Sequence, residues 1–166
     1  GWDLREIDGY TIISHGGSIN GYQTQLTAVP AKGVAIAIMT NSGRGSAAIR
    51  PIEEALLQEL CGLKAAEPPR VNLPPELLER YAGRYLQQFS SVDISVEGDG
   101  LSAVVALTDP VFGPPDPWPP VHLRPISERE FLVTDGASAG SRVDFIPNPD
   151  GSVRFIRMGG RLGERA

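Results

Sequence analysis

Residues 9–41 read GYTIISHGGSINGYQTQLTAVPAKGVAIAIMTN and contain three strand-like stretches. The stretches are GYTIISHGG (9–17), YQTQLTAV (22–29) and GVAIAIMTN (33–41). Asn20-Gly21 and VPAKGV (29–34) separate them, and both have the composition of tight turns. Because short turns join neighbouring strands in opposite directions, this part of the chain predicts a three-stranded antiparallel meander.

A helix is predicted next, within Ser46–Cys61. Its apolar stripe consists of residues at helical spacing, namely Ile49, Ile52, Leu56 and Leu60. Gly62 fits the C-terminal stop, and Pro51 fits a helix only in its first turn. Cys61 is the single cysteine and cannot form an internal disulfide, so we expect a buried structural thiol at the helix end.

The third predicted strand is apolar on both of its faces, since VAIAIM (34–39) has no polar residue. Such a strand is typical of a sheet that is covered on both sides, whereas this half of the chain supplies one helix for one face. The outer edge of the strand has no evident partner either. Either the second half of the chain covers this face and edge, or an element from elsewhere does.

Prolines accumulate in KAAEPPRVNLPPE (64–76), which is typical of a linker. We place the linker at residues 65–73, between a first domain at 1–64 and a second at 74–166. The second domain has seven short strand candidates separated by turns, which are LLERYAGRYLQ (77–87), VDISVEG (92–98), GLSAVVAL (100–107), VHLRPIS (121–127), EFLVTD (130–135), SRVDFIP (141–147) and VRFIRMGG (153–160). Their spacing predicts an all-β meander closed into a small barrel, so the fold class of the whole chain is α+β. The six prolines of DPVFGPPDPWPP (109–120) exclude a central strand and predict a surface loop.

The composition excludes several function classes. The chain has 166 residues, of which 41% are hydrophobic, and a formal net charge of -5, so it lacks the basic face that binds nucleic acid. Its longest apolar run is far too short to span a bilayer, and its N-terminal residues 1–10 lack signal-peptide features, which leaves the compartment unassigned. One cysteine and two distant histidines do not form a zinc-ligand pattern, so neither a metal nor a cofactor is predicted.

The order of the motifs in the first domain resembles the C-terminal part of the transpeptidase-like domain of serine β-lactamases, penicillin-binding proteins and related esterases. The class C-like branch is the most similar. The matching residues are GW (1–2), SHGGSINGYQ (14–23), VPAKGVAIAIMTNS (29–42) and the helix after them, so the resemblance covers residues 1 to about 62. It implies a serine hydrolase that forms an acyl-enzyme with a small-molecule ester, amide or β-lactam.

The resemblance also implies that His15, Gly17 and Ser18 belong to the catalytic site. In this family a Lys-Thr-Gly or His-x-Gly motif lies on the strand that lines the cleft, and His15 takes the position of its basic residue. An imidazole that faces the nucleophile can move a proton or hold a negative group of the substrate. Gly17 would let the acyl group approach the backbone. The N–H of Ser18 would be one of two oxyanion donors, each contributing about 3 kcal/mol.

Two features of the family's pattern are missing from this sequence. Gly16 stands where the motif has a hydroxyl residue, so an ester or a small peptide fits at least as well as a β-lactam. Neither Lys32 nor Lys64 has a serine three positions before it, so the nucleophile motif Ser-x-x-Lys is absent, and no tyrosine starts Tyr-x-Asn. We therefore expect a C-terminal portion of such an enzyme that is inactive alone. Its partner would be the missing N-terminal catalytic segment, or a second copy pairing at the 34–40 edge.

The second domain resembles the lipocalin-like β-barrel appended to many β-lactamase-related hydrolases, on the basis of Tyr-x-Gly-x-Tyr (81–85) and the meander. The alternative function is therefore a non-catalytic binding or accessory module, whose barrel holds a small apolar ligand or docks a partner. The remaining polar candidates are expected to lie in turns or on solvent faces without a catalytic role; they are His122, Ser14, Ser42, the pair Glu53-Glu54, Glu128 and Glu130.

Overall fold

The computed structural model describes residues 1–19, 21–43, 45–109, 117–136 and 138–166, and the chain divides into two compact units, Gly1–Glu67 and Pro68–Ala166. The elements of the first unit are β1 (Asp3–Ile7), β2 (Tyr10–Ile19), β3 (Tyr22–Val29), a 3-10 turn (Pro30–Lys32), β4 (Val34–Thr40) and α1 (Ser46–Cys61). Those of the second unit are α2 (Pro75–Tyr81), β5 (Gly83–Leu86), β6 (Ser90–Glu97), β7 (Gly100–Leu107), β8 (Val121–Pro125), β9 (Glu130–Val133), β10 (Arg142–Pro147), β11 (Val153–Met158) and β12 (Arg161–Arg165). No helix in the described parts of the chain has the length and apolarity to cross a membrane.

The first unit is an antiparallel meander in the order β1-β2-β3-β4 with α1 packed on one face. The predicted fold class is confirmed, and the sheet has one strand more than the three we expected. Strand β1 is DLREI, in which three of the five residues are charged, so it has little of the apolar alternation that identifies a strand. It joins β2 through Asp8-Gly9, where both residues have positive φ, as a two-residue hairpin turn requires.

The buried face of α1 differs from the predicted stripe. Ile49, Glu53, Leu57 and Cys61 are buried, four residues apart, whereas Ile52 and Leu60 of the predicted stripe are exposed. Pro51 lies inside the helix rather than in its first turn, because the helix begins at Ser46. Cys61 is buried, and Gly62 ends the helix in the left-handed conformation, as expected. Both sets of residues have helical spacing. The buried set was not predicted because it contains the charged residue Glu53.

The second unit is a closed eight-stranded antiparallel barrel in the order β5-β6-β7-β8-β9-β10-β11-β12, in which β12 pairs back with β5. The predicted meander barrel is confirmed, with two differences. The segment LLERYAGRYLQ was expected to be one strand, but it contains most of α2 and then β5. Strand β12 was not expected, because its sequence RLGER has a single large apolar residue. The barrel closes through this strand.

Aromatic side chains fill the interior of the barrel. Tyr81 stacks on Phe145 with ring centroids 4.5 Å apart, and Phe131 contacts both rings edge-on. The hydroxyl of Tyr85 donates a hydrogen bond to the carbonyl oxygen of Tyr81, and burial raises the pKa of the Tyr85 phenol to about 12. The interior is therefore a packed core whose buried hydroxyls have partners.

Candidate functional site

His15 lies on the face of the sheet that α1 does not cover. Neighbouring residues of a strand point to opposite faces, and Ile12 and Ser14 of β2 are buried on the α1 side. His15 is exposed on the other side, which we call the outer face. Its imidazole contacts the indole ring of Trp2 edge-on, with ring centroids 5.9 Å apart. The histidine is thus accessible to a molecule that approaches the outer face.

The backbone of β2 next to His15 has one open edge. Pairing with β1 ends at Asp3 opposite Ser14, so among the described residues nothing pairs with the β1 side of residues 15–19. Ile7 and Tyr10 flank a two-residue turn and therefore form a hydrogen-bonded pair, which directs the N–H groups of even-numbered β2 residues towards β1. By this alternation the N–H groups of Gly16 and Ser18 point to the open edge.

Of the two glycines after His15, Gly17 lies on the outer face beside His15, whereas Gly16 lies on the α1 side of β2. A methyl group on Gly17 would lie 2.7 Å from Oγ1 of Thr24, and one on Gly16 would lie 3.1 Å from Oε1 of Gln25. An alanine at position 17 would therefore displace the Thr24 side chain, because 2.7 Å is shorter than a van der Waals contact. Because Gly17 has no side chain, the backbone can be approached closely on the outer face beside His15.

The side chain of Ser18 is held away from the open edge. Its hydroxyl accepts a hydrogen bond of 2.8 Å from Nε2 of Gln23, the residue opposite it on β3. The backbone N–H and the hydroxyl of Ser18 therefore have different surroundings. Ser14 is buried on the α1 side of the sheet, where it cannot face a molecule bound beside His15.

A depression of about 610 Å³ adjoins His15 on the outer face. It is lined by Gly1, Trp2, His15, Thr24, Gln25, Leu26, Ala37, Ile38 and Met39. Large apolar side chains remain exposed across this face, among them Leu4, Ile19, Tyr22 and Met39, of which Met39 is 78% exposed. The outer face is therefore an apolar surface of the kind that normally packs against another element.

Strand β4 forms the second open boundary of the sheet. It pairs with β3 along its whole length, and no described strand pairs with its other side. The strand has none of the charges, prolines or bulges that usually protect an exposed edge. The uncovered face and edge that the sequence predicted are both present in this unit.

Glu53 differs from its prediction. It was expected on a solvent face with Glu54, but only 6% of it is exposed. Its Oε1 lies 2.9 Å from the guanidinium of Arg5 on β1 and accepts a hydrogen bond from the hydroxyl of Thr27 on β3. Arg5 and Thr27 are both distant from Glu53 in sequence, so no local sequence pattern predicts this network of three side chains. Glu54 is exposed and pairs with Arg50, as an i,i+4 helix pair.

Other polar candidates in the described residues do not form a second site. His122 lies on β8 with its Nδ1 3.3 Å from a carboxylate oxygen of Glu97, and the two side chains are 39% and 56% exposed. A depression of about 50 Å³ beside Tyr81 at the α2 end of the barrel is far smaller than a typical ligand pocket. No three His, Cys, Asp or Glu side chains of the described residues could hold a metal ion. Most of the proline-rich loop, residues 110–116, lies outside the described residues, as does Asn20 of the predicted hairpin turn.

Comparison with known proteins finds similarity to one curated sequence and to solved structures. The chain is 35% identical over 75 residues, or 45% of its length, to penicillin-binding protein 4 of Amycolatopsis lactamdurans, of which it spans 19%. The crystal structure of SurE with D-Leu superposes on 99% of the chain with a TM-score of 0.60 and 18% identity. A further SurE crystal structure gives a TM-score of 0.57 and 17% identity. The chain spans 38% and 36% of these two structures, which share its fold. No family model matches the chain.

Proposed function

We propose that this chain is the C-terminal portion of a serine hydrolase related to β-lactamases and penicillin-binding proteins. In this proposal His15, Gly17 and the backbone N–H of Ser18 form one wall of an acyl-transfer site. The observation that carries the proposal is the open edge of β2, where an exposed histidine adjoins a backbone N–H that pairs with no strand among the described residues. The similarity to penicillin-binding protein 4 supports the relation to penicillin-binding proteins.

The chemistry assigned to each residue follows from its position. The imidazole of His15 moves a proton to or from the leaving group, or holds a negative group of the substrate. The N–H of Ser18 donates to the oxyanion of the tetrahedral intermediate, and Gly17 leaves space for the acyl group beside the strand. Since Gly16 has no hydroxyl, the proposed substrate is an ester or a small peptide at least as readily as a β-lactam.

The proposed nucleophile comes from a segment of the enzyme upstream of Gly1. Neither lysine completes Ser-x-x-Lys, and the chain spans only part of the proteins it resembles. The exposed apolar outer face is where such a segment would pack so that its nucleophile faces His15. The same segment would supply a strand for the open side of β4. A second copy of the chain that pairs at Val34–Thr40 is the alternative partner.

Labelling with a fluorophosphonate tests the proposal. The chain alone should remain unlabelled by intact mass, because it lacks the nucleophile. Addition or fusion of the polypeptide encoded directly upstream should give one label per complex. Absence of labelling in that complex would contradict the assignment to serine hydrolases, and stoichiometric labelling of the chain alone would contradict its predicted inactivity.

Size-exclusion chromatography distinguishes the two proposed partners. If the upstream segment covers the outer face and the β4 edge, its addition should convert any dimer of the chain into a single complex with one copy of each part. A dimer that persists with the upstream segment bound would favour pairing between copies at β4.

The alternative function, a non-catalytic binding module, receives less support. A barrel that held an apolar ligand would need an interior cavity of a few hundred Å³. In the described residues the interior is filled by side chains such as Tyr85, Phe131 and Phe145. Docking of a partner on the outside of the barrel has no comparable observation in its favour.

A further inference from the structure

The carboxylate of Glu53 lies beneath the strand that carries His15 and joins the strands on either side of it. Its Oε1 accepts the hydrogen bond from Thr27 on β3 and lies 2.9 Å from the guanidinium of Arg5 on β1. Strand β2 runs between β1 and β3. One oxygen atom of α1 therefore links both neighbours of β2 to the helix.

The register of the sheet places this network next to His15. Thr27 pairs with Ser14, and Arg5 pairs with Ile12, so Glu53 spans the part of β2 that leads directly into His15. A buried carboxylate is strongly unfavourable without a charged partner and hydrogen bonds. Because Arg5 is the charged partner, the burial of Glu53 requires β1 to remain paired in this register.

Strand β1 connects the network to the outer face. Alternate side chains of β1 point to opposite faces, so Arg5 faces α1 while Trp2 and Leu4 lie on the side of His15. Asp3 pairs with Ser14, which brings Trp2 alongside His15, and their rings meet edge-on at 5.9 Å. The position of Arg5 thus determines the position of the indole against the imidazole.

We propose that Glu53 is a positioning residue for His15, which acts through Arg5 and strand β1 on the contact between Trp2 and His15. The network lies on the opposite face of the sheet from the imidazole, so Glu53 does not contact the reacting groups. The importance of His15 rests on the proposed function, whereas the coupling between Glu53 and the Trp2–His15 contact stands on geometry alone.

NMR of the full chain tests this coupling without any catalytic assay. The chain has two histidines, so His15 and His122 each give a separate imidazole signal, and His122 in the other unit serves as an internal reference. We expect a cross-peak between the Trp2 indole and the His15 imidazole. The variant Glu53→Gln should lose this cross-peak and shift the His15 signal, while the His122 signal stays unchanged.

Glu54→Gln is the matched control, because Glu54 is the neighbouring exposed carboxylate and should keep the cross-peak. A folded Glu53→Gln variant that retains the Trp2–His15 cross-peak would overturn the proposal. If Glu53→Gln does not fold, the double variant Glu53→Met/Arg5→Met replaces it in the same NMR experiment. The two methionines have volumes similar to those of the original side chains and leave no charge buried. Retention of the cross-peak in that variant would overturn the proposal, and its loss would support it.

The same spectra separate this inference from the proposed function. Loss of the cross-peak on substitution of Glu53 establishes the coupling even if the chain proves to have no part in a hydrolase. Conversely, an unchanged cross-peak would show that Glu53 does not position His15. That result would not affect the fluorophosphonate test of the proposed hydrolase.

Discussion

The two units of the chain differ in whether the edges of their strands are paired. In the second unit each of the eight strands pairs on both sides, and the aromatic core is enclosed. In the first unit the described strands leave two edges unpaired, and apolar side chains remain exposed on the outer face. A closed barrel has no unpaired strand edge with which another chain could pair. An open sheet with an exposed apolar face can bind a partner at its edge and on that face. We therefore propose that the barrel is stable without a partner, whereas the sheet requires one to complete its site.

The largest expected effect concerns the enclosed core of the barrel. Phe145→Ala should lower the free energy of unfolding of the second unit by about 3–5 kcal/mol, because it opens a cavity among Tyr81, Tyr85 and Phe131. Urea unfolding followed by the NMR signals of His122 and His15 reports each unit separately. The His15 transition should be unaffected, and Trp118→Ala, at an exposed side chain, is the control. Parallel loss of both transitions would show that the barrel is not independent.

Alkaline pH should destabilise the barrel more than the sheet. Burial, the main cause, raises the pKa of Tyr85 to about 12, above its value of 10.0 in the unfolded chain. The unfolded state therefore loses its proton first, and stability present below pH 10 falls by about 2–3 kcal/mol as the pH rises to 12. The stability of the second unit should be measured by urea unfolding between pH 9 and 12, a range that spans the phenol titration. Tyr85→Phe should flatten this dependence, and an equally steep curve in that variant would contradict the assignment.

Glu53→Gln should destabilise the first unit by about 1–3 kcal/mol, since it removes a buried charge from its hydrogen-bonded partners. The effect is smaller than that of a fully buried pair because the Arg5 side chain is 42% exposed. Urea unfolding of the first unit, followed by the His15 NMR signal, measures this change in stability. The control Glu54→Gln is expected to change the stability by less than about 0.5 kcal/mol. Equal effects of the two substitutions would remove the distinction between the buried and the exposed carboxylate.

The smallest effect is expected at the open edge itself. Gly17→Ala should cost about 1 kcal/mol, because the new methyl group would lie 2.7 Å from Oγ1 of Thr24. In a Thr24→Ala background the same substitution should cost almost nothing, and a double-mutant cycle of urea midpoints measures the difference. A cost that persists without the Thr24 hydroxyl would mean that the backbone, rather than this contact, requires glycine.

Much of the fold was predictable because short local stretches of the sequence specify it. Turn residues such as Gly21 and Gly33, and the apolar alternation of β2 to β4, specify the meander without any knowledge of the rest of the chain. Strands β1 and β12 were missed because DLREI and RLGER are mostly charged, and pairing with a neighbour decides their conformation.

The candidate site was predictable to a lesser extent. The sequence motif indicates His15, Gly17 and Ser18, and their assigned roles stay predictions. The network of Glu53 was not foreseen, since its partners Arg5 and Thr27 are brought to it only by folding. Long-range polar contacts of this kind leave no periodic signal in a sequence, whereas hydrophobic faces do.

We propose that the open sheet, and not the barrel, contains one wall of the catalytic site, which includes His15. The most direct test is kcat of the complex formed with the upstream segment, compared between His15→Gln, His122→Gln and the unaltered chain. We expect His15→Gln to lower kcat by about 10²–10⁴-fold, the usual contribution of an acid–base group, and His122→Gln to leave kcat unchanged. An active complex in which His15→Gln turns over as fast as the unaltered chain would contradict this proposal.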